Sequence, residues 1–391
     1  MREERIERRL TAILTADVVG YSIDLGRYPR LTAALVSDAV LDAAFAWVCR
    51  RRRHWPADAD VWSFRRSWPD DKQRLKEALL SGRFRFGLLL RVTKADRSEA
   101  DLWSAGDALV LKALTLVLAG VLPVSPRCTH IKGNGGAKAA VRQVRAALAS
   151  NRFVLRTDVK SYYASIEHLL LMDRLALYIR DRDILNLLGQ YLRRTAESGG
   201  WFWDCERGIS LGCPLSPLIG AFFLDQLDRQ MTVSGLFYVR FMDDILVLAP
   251  TRWKLRRAVG LVNQILGALR LEKHPGKTFI GRIERGFDFL GYHFTADRLT
   301  LAVSTLANFA DRVTRLYEQE RERPKSPSRL GAYVKRWCAW ASGGLDAVWP
   351  ALTAVAVDSA TDGSGRDWLK QTLSATDQRH RGRALAPKEE C

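Results

Sequence analysis

Cysteine is scarce in this sequence and scattered. The six residues are Cys49, Cys128, Cys205, Cys213, Cys338 and Cys391, and no two form a C-x-x-C pair. That spacing matches neither a zinc site nor a disulfide framework, and it reads as reduced thiols in a cytoplasmic protein. Histidine is equally sparse, with six dispersed residues, which argues against an attached zinc or HNH-type nuclease. No apolar run reaches the roughly 18 residues needed to span a bilayer, so no membrane segment is expected. The first nine residues, Met1 to Arg9, are charged and contain no apolar stretch of the kind a secretory signal needs. No internal repeat is present.

What is abundant is positive charge. Lys and Arg number 61 against 43 Asp and Glu, a net +18, and the pI is about 9.9. Such an excess points to a polyanionic partner, nucleic acid first, although a merely charged surface or a membrane-surface protein has the same composition. Hydrophobic residues make up 47% of the 391 positions, enough for a sizeable core and against wholesale disorder.

The pattern of residues up to about 55 is helical and ends in a basic run, Arg50 to Arg53. Asp107 to Leu122 reads as a buried helix, because Ala108, Leu109, Leu111, Ala113, Leu114 and Val117 crowd several of its faces. Lys132 to Lys138 is a glycine- and lysine-rich loop, and an alanine-rich helix is expected over 139–149. Phe153 to Thr157 is a short apolar strand. Helices are expected over 167–195 with a break near 181–183, then a turn at Ser198 to Gly200. A Gly/Pro/Ser loop, Gly208 to Pro217, precedes a helix from Leu218 to Met231. Tyr238 to Leu248 reads as two strands around an acidic turn, Trp253 to Leu269 as an amphipathic helix, and Phe287 to Phe294 as one aromatic strand. Two helices, 307–322 and 330–341, flank a Pro/Ser linker, and the last 35 or so residues are polar.

Two acidic features carry the chemistry. Asp243-Asp244 sits between apolar runs, so a tight hairpin would place both carboxylates at one tip. Taken alone, the pair also fits a polar turn. Asp158 ends the apolar strand that begins at Phe153, and alone it also fits a strand-ending cap. Together, the two strands could converge on a pair of Mg²⁺ ions. In phosphoryl transfer one ion activates the attacking hydroxyl and the other stabilises the leaving oxygens. Mg²⁺ takes few protein carboxylates and leaves room for substrate phosphates, so two or three aspartates suffice.

The order of motifs resembles the palm of reverse transcriptases. Leu155 to Ile166 (LRTDVKSYYASI), Gly208 to Pro217 (GISLGCPLSP) and Phe241 to Ala249 (FMDDILVLA) are similar to that family's motifs A, B and C. Glu272 to Thr278 (EKHPGKT) and Phe287 to Phe294 (FDFLGYHF) are similar to motifs D and E. The resemblance covers about residues 90 to 350. It implies an α+β right-hand polymerase fold with fingers over 56–150, a palm with an antiparallel sheet over 151–297 and a helical thumb over 298–350. An N-terminal helical extension (1–55) and a polar tail (351–391) complete the expected division.

The implied activity is RNA-directed DNA polymerisation with two Mg²⁺ ions, Mn²⁺ being an alternative. Asp158, Asp243 and Asp244 match the metal-binding aspartates. Lys277 matches a lysine that protonates the leaving pyrophosphate. Tyr163 matches the gate that excludes a ribose 2′-hydroxyl, and its other reading is core packing. Gly212, Ser216 and Pro217 match the loop under the incoming base and template. Lys94, Lys132 and Lys138 are the triphosphate-binding candidates, with Arg97 and Arg142 behind them. The implied partners are an RNA template, the DNA product and dNTPs, with a dedicated non-coding RNA as a further candidate. The closest lineage in pattern is the stand-alone, group II intron-like bacterial class, often linked to phage defence. A maturase-like RNA-binding protein and a catalytically inactive palm serving as a structural module are the alternatives.

The sequence departs from the family pattern at several places. Phe241-Met242 replaces the usual pair before the aspartates, Leu211 stands where Gln is usual, and Ala100 and Gly106 stand where arginines are common. Glu7 to Ser22 separately resembles the opening strand of class III nucleotidyl cyclases, with Asp17 at a metal-ligand position, but no second cyclase strand follows it.

Overall fold

Helix periodicity and short β-branched or aromatic runs alternate along the chain, and the computed structural model resolves them into two kinds of layer. Residues 31–93, 99–322 and 328–344 are described. The cyclase-like stretch, Lys94, Arg97, most of the Pro/Ser linker and the polar tail lie outside them. The chain divides into two compact units. The first takes Met1–Asn134, Thr157–Ile245 and Arg256–Thr278; the second takes Gly135–Arg156, Leu246–Leu255 and Phe279–Cys391. These units interleave in sequence, whereas the division expected from the motifs runs in succession along it. The reason is that strands distant in sequence share a sheet.

The first unit opens with α1 (Leu31–Leu35), α2 (Asp38–Arg51), α3 (Asp60–Arg66) and α4 (Trp68–Leu80). Strands β1 (Leu89–Thr93) and β2 (Glu99–Leu102) follow, then α5 (Ala105–Leu118). α5 is apolar nearly all round and buries nine residues, so it forms the central helix against which α1, α2 and α3 pack. Its first turn is capped by the Ser104 hydroxyl, which accepts from the Asp107 amide at 3.0 Å. The basic run at the end of α2 is partly structural. Arg52 is buried and donates to Asp60 and to the Trp103 carbonyl.

Next come α6 (Gly136–Leu148), β3 (Phe153–Thr157), α7 (Tyr162–Ser165), α8 (His168–Ala176) and α9 (Arg182–Leu192). The expected break near 181–183 is the α9 cap, Asp181, whose side chain accepts from two backbone amides. The turn at Ser198–Gly200 lies in a hairpin of two strands, β4 (Thr195–Ser198) and β5 (Trp201–Asp204), that helical patterning does not signal. Gly199 and Gly200 both take positive φ, which a tight hairpin turn needs. β1 pairs antiparallel with β2 and parallel with β4, giving a four-stranded sheet in the order β2-β1-β4-β5.

The helix expected over 218–231 is broken at Leu224 into α10 (Ser216–Phe223) and α11 (Asp225–Val233). β6 (Phe237–Phe241), β7 (Asp244–Ala249), α12 (Arg252–Ala268) and β8 (Phe279–Arg282) follow. β3 and β8 pair antiparallel, Phe153 opposite Arg282 and Arg156 opposite Phe279.

In the second unit the aromatic segment 287–294 is two strands, not one: β9 (Phe287–Phe289) and β10 (Tyr292–Phe294) turn at Leu290 and Gly291, both at positive φ. β11 (Leu299–Leu301) completes that sheet. α13 (Val303–Glu322) and α14 (Arg329–Ser342) pack together through Phe309, Leu316, Leu330 and Val334. The Phe309 and Trp337 rings lie 3.9 Å apart by centroid, so Trp337 is core.

Candidate active site

β3 is apolar because it is nearly buried, and it delivers Asp158 at its end. Beyond it the backbone runs beside residues 272–274. Val159 bridges Lys273, the Lys160 amide donates to the Glu272 carbonyl, and the His274 amide donates to the Asp158 carbonyl at 2.7 Å. The 3₁₀ turn Pro275–Lys277 then carries Lys277 back, so that its Nζ donates to Asp158 Oδ2 at 2.7 Å. A hydrogen bond between the Thr157 and Thr278 hydroxyls, 2.8 Å long, closes the loop beneath them. The Asp158 carboxylate raises the pKa of Lys277 and so favours its ammonium form.

The second carboxylate comes from the β6–β7 turn. Asp243 is hydrogen-bonded to Asp158, and its carboxyl is pushed up to about 7. Burial is the first cause; the charge of Asp158 and the hydrogen bond shared with it come next, and Asp244 adds to them. Two close carboxylates in a poorly solvated site keep a proton between them unless a cation is present. Asp244 opens β7 and is half-buried. Among the described residues no three His, Cys, Asp or Glu side chains are grouped so as to enclose a metal ion. What the chain supplies is a pair of hard oxygen donors whose mutual repulsion a divalent cation would relieve. That fits an ion which takes one or two carboxylates and fills its shell with water and phosphate oxygens.

Tyr163 follows on α7. Its ring lies against α10 at Gly220, where an added Cβ would stand 2.9 Å from Tyr163 Cε1. The Tyr163 carbonyl accepts from the Ile209 amide at 2.8 Å, which fixes the residue to the motif B segment. Its hydroxyl is buried with no hydrogen-bond partner among the described residues. Tyr162, by contrast, is fully buried and donates its hydroxyl to the Gly220 carbonyl. The two adjacent tyrosines are thus separated into a core residue and a half-buried one.

The Gly208–Pro217 loop is held from behind. Asp101, on β2, accepts from the Ser210 hydroxyl at 2.9 Å and from the Leu211 amide at 3.0 Å, and Arg91 anchors its other oxygen at 2.9 Å. Ser216 is fully buried, and its hydroxyl is engaged with Tyr191 and the Ser210 carbonyl. It shapes the loop from inside and offers no free hydroxyl to a base. Leu211 and Gly212 are the exposed part, Gly212 at a φ of 85°; Pro217 is half-buried.

The triphosphate candidates separate. Lys132 is exposed on its loop in the first unit. Lys138 belongs to the second unit, where its ammonium lies 4.6 Å from the Tyr292 ring centroid and 3.9 Å from that of Trp340, and it donates to the Tyr292 hydroxyl. Burial lowers its pKa to about 8. An ammonium committed to two rings and a phenol is a packing element, so Lys138 does not stand with Lys132 as an open phosphate ligand. Arg142 donates to the Gly343 carbonyl at 3.3 Å in the same unit.

Residue patterning missed Asp101, Arg240 and His130. Arg240 carried a signal: a charged residue inside the apolar strand Phe237–Phe241 must be paired if it is buried. It is, at 0% exposure, with Asp228. Asp101 and His130 gave none, since the backbone amides they hold, of Leu211 and Met242, lie about 110 positions away.

Residues 109–294 match the family described as reverse transcriptase (RNA-dependent DNA polymerase). The protein YkfC of Escherichia coli K12 is 24% identical over 276 residues, spanning 58% of this chain and 71% of that protein. The putative COX1/OXI3 intron 1 protein of Saccharomyces cerevisiae is 22% identical over 240 residues, spanning 59% of this chain and 28% of that one. A solved partial Cas6-RT-Cas1–Cas2 complex aligns with 65% of this chain and 45% of its own, at 18% identity and a TM-score of 0.38. Among the described residues no helix is long and apolar enough to cross a membrane.

Proposed function

This chain carries a reverse transcriptase domain with the right-hand polymerase fold of an RNA-directed DNA polymerase, and from that premise we propose that it extends a DNA strand on an RNA template by two-metal phosphoryl transfer. The observation that carries the reading is the paired Asp158 and Asp243 carboxylates with Lys277 on Asp158. Bound there, Mg²⁺ or Mn²⁺ would supply charge neutralisation and activation of a primer 3′-hydroxyl.

The chain's own residues do the rest. Asp158 and Asp243 would hold the ions, with Asp244 supporting them. Lys277, paired with Asp158 in the structure, would be the proton donor to the leaving pyrophosphate. Tyr163 stands against Gly220 and closes the space beside the sugar C2′. Gly212 presents backbone to the nascent pair, Pro217 shapes the end of the same loop, and Lys132 meets the triphosphate together with Lys94. Fingers over 56–150, palm over 151–297 and thumb over 298–350 are the corresponding roles along the chain. A dedicated non-coding RNA as template and a setting in phage defence belong to the same reading. A second reading, a maturase-like RNA-binding protein, draws on the resemblance to a yeast intron protein.

The test is primer extension by the purified full chain on matched RNA and DNA templates, with Mg²⁺, with Mn²⁺ and with chelator. DNA synthesis on RNA that chelator abolishes is expected. Tight RNA binding with no extension under any of these conditions would favour the second reading.

A further inference from the structure

Met242, the residue immediately before Asp243, has a φ of 56° although it is not glycine. Left-handed backbone at an unbranched residue is uncommon and persists where neighbours hold it. Both backbone polar groups of Met242 are held, one on each side of its Cα. The Met242 amide donates to His130 Nδ1 at 3.0 Å, and the Met242 carbonyl accepts from Arg240 Nη1 at 2.6 Å.

Each holder is itself fixed. Arg240 is wholly buried; its Nε donates to Asp228 Oδ1 at 2.8 Å, and its Nη2 donates to the Ala221 carbonyl at 3.2 Å. Tyr238 donates its hydroxyl to the same Asp228 oxygen at 2.7 Å. His130 reaches the Pro217 carbonyl through Nε2 at 3.1 Å, its Nδ1 lies 3.3 Å from the Cys128 sulfur, and its ring meets Phe241 edge-on. A backbone amide can only donate, so Nδ1 carries no proton and Nε2–H donates to Pro217. One neutral tautomer is thereby selected.

We propose that His130 is a positioning residue for DNA synthesis: with Arg240 it clamps the Met242 backbone on both sides of its Cα and so sets the direction in which Asp243 faces Asp158. The same imidazole ties that turn to Pro217, at the start of α10. A shift of the nucleotide-facing loop and a shift of the carboxylate turn are then one movement. Burial favours the neutral ring this requires. The inference rests on the polymerase reading for its functional consequence but not for its geometry.

The test uses His130→Asn and His130→Gln in the full chain. The Asn amide oxygen can take the place of Nδ1 and accept from Met242; the longer Gln amide reaches toward Pro217 and leaves Met242 unheld. Two readouts are taken. In hydrogen exchange, the Met242 amide is expected to be protected in wild type and His130→Asn and at least about tenfold faster in His130→Gln, which needs no activity. In single-turnover extension, kcat is expected to fall at least about tenfold in His130→Gln and to stay within about threefold in His130→Asn, with primer–template affinity and dNTP KM little changed in both. Equal protection in the two variants, or equal kcat in them when the wild type is active, overturns the clamp. Inactivity of the wild type together with the expected exchange pattern would count against the polymerase reading and leave the clamp supported.

Discussion

Lys277 and Lys138 look alike in sequence. Each follows a glycine-containing turn, Pro275-Gly276-Lys277 in one case and Gly135-Gly136-Ala137-Lys138 in the other. They fold into opposite surroundings. In the first unit Lys277 is half-exposed and bound to a carboxylate, which favours its charge. In the second unit Lys138 is packed between a tyrosine and a tryptophan, and burial works against its charge while the ring faces attract it. A lysine beside glycines is an open phosphate ligand only if nothing in the fold claims its ammonium, and which neighbours claim it is decided by residues about 120 to 200 positions away.

Kinetics separate the two most sharply. Lys277→Ala is expected to lower kcat by about 10²-fold, the usual scale for a lost general acid, without weakening primer–template binding. A change confined to dNTP KM would mean that Lys277 only binds phosphate. Tyr163→Val, also in the first unit, is expected to reduce the preference for dNTP over rNTP by about tenfold or more. An unchanged ratio would return Tyr163 to core packing.

The smallest effect belongs to Lys138. Lys138→Met is expected to leave extension kinetics within about twofold and to lower the melting temperature by only a few degrees, the scale of one or two cation–π contacts. Its pH signature is specific. The folded value of about 8 lies below the free lysine's 10.5, so between those values the unfolded chain binds more protons, and the Lys138 contribution to stability rises with pH across that window. Lys277 has the opposite sign: its folded value is raised, so its contribution is present below 10.5 and is lost as pH climbs through that folded value. Melting temperatures from pH 7.5 to 10 should therefore rise less in Lys138→Met than in wild type. Parallel curves would show that the two rings hold Lys138 as charged as a free lysine.

The parts of the site legible in the sequence are those whose logic is local. Asp158 at the end of an apolar strand and Asp243 in an acidic turn between two strands announce themselves through period and polarity. The turn glycines of the β4–β5 hairpin were visible, but its short strands carry Thr, Glu and Asp beside Trp and Phe and show no clean alternation. In the aromatic segment 287–294, Leu290 at positive φ hides the turn, because nothing about leucine suggests it. Asp101 holds the Leu211 amide and His130 the Met242 amide, each across more than 100 positions. Ser216 matched a substrate-contacting position by motif, yet the fold encloses it between Tyr191 and Ser210.

Asp158 and Asp243 are proposed to hold together the ions that drive DNA synthesis. The most direct measurement is the single-turnover rate of dNTP addition to a primer on an RNA template, at saturating Mg²⁺, for wild type and Asp243→Asn. The substitution keeps the size and removes a charge that the fold already holds partly neutral, so folding and primer–template affinity should survive it. The predicted result is a rate at least about 10³-fold lower with the melting temperature retained, the scale of several kcal/mol of lost transition-state stabilisation. A rate within tenfold of wild type would contradict the assignment and move the metal site elsewhere in the chain.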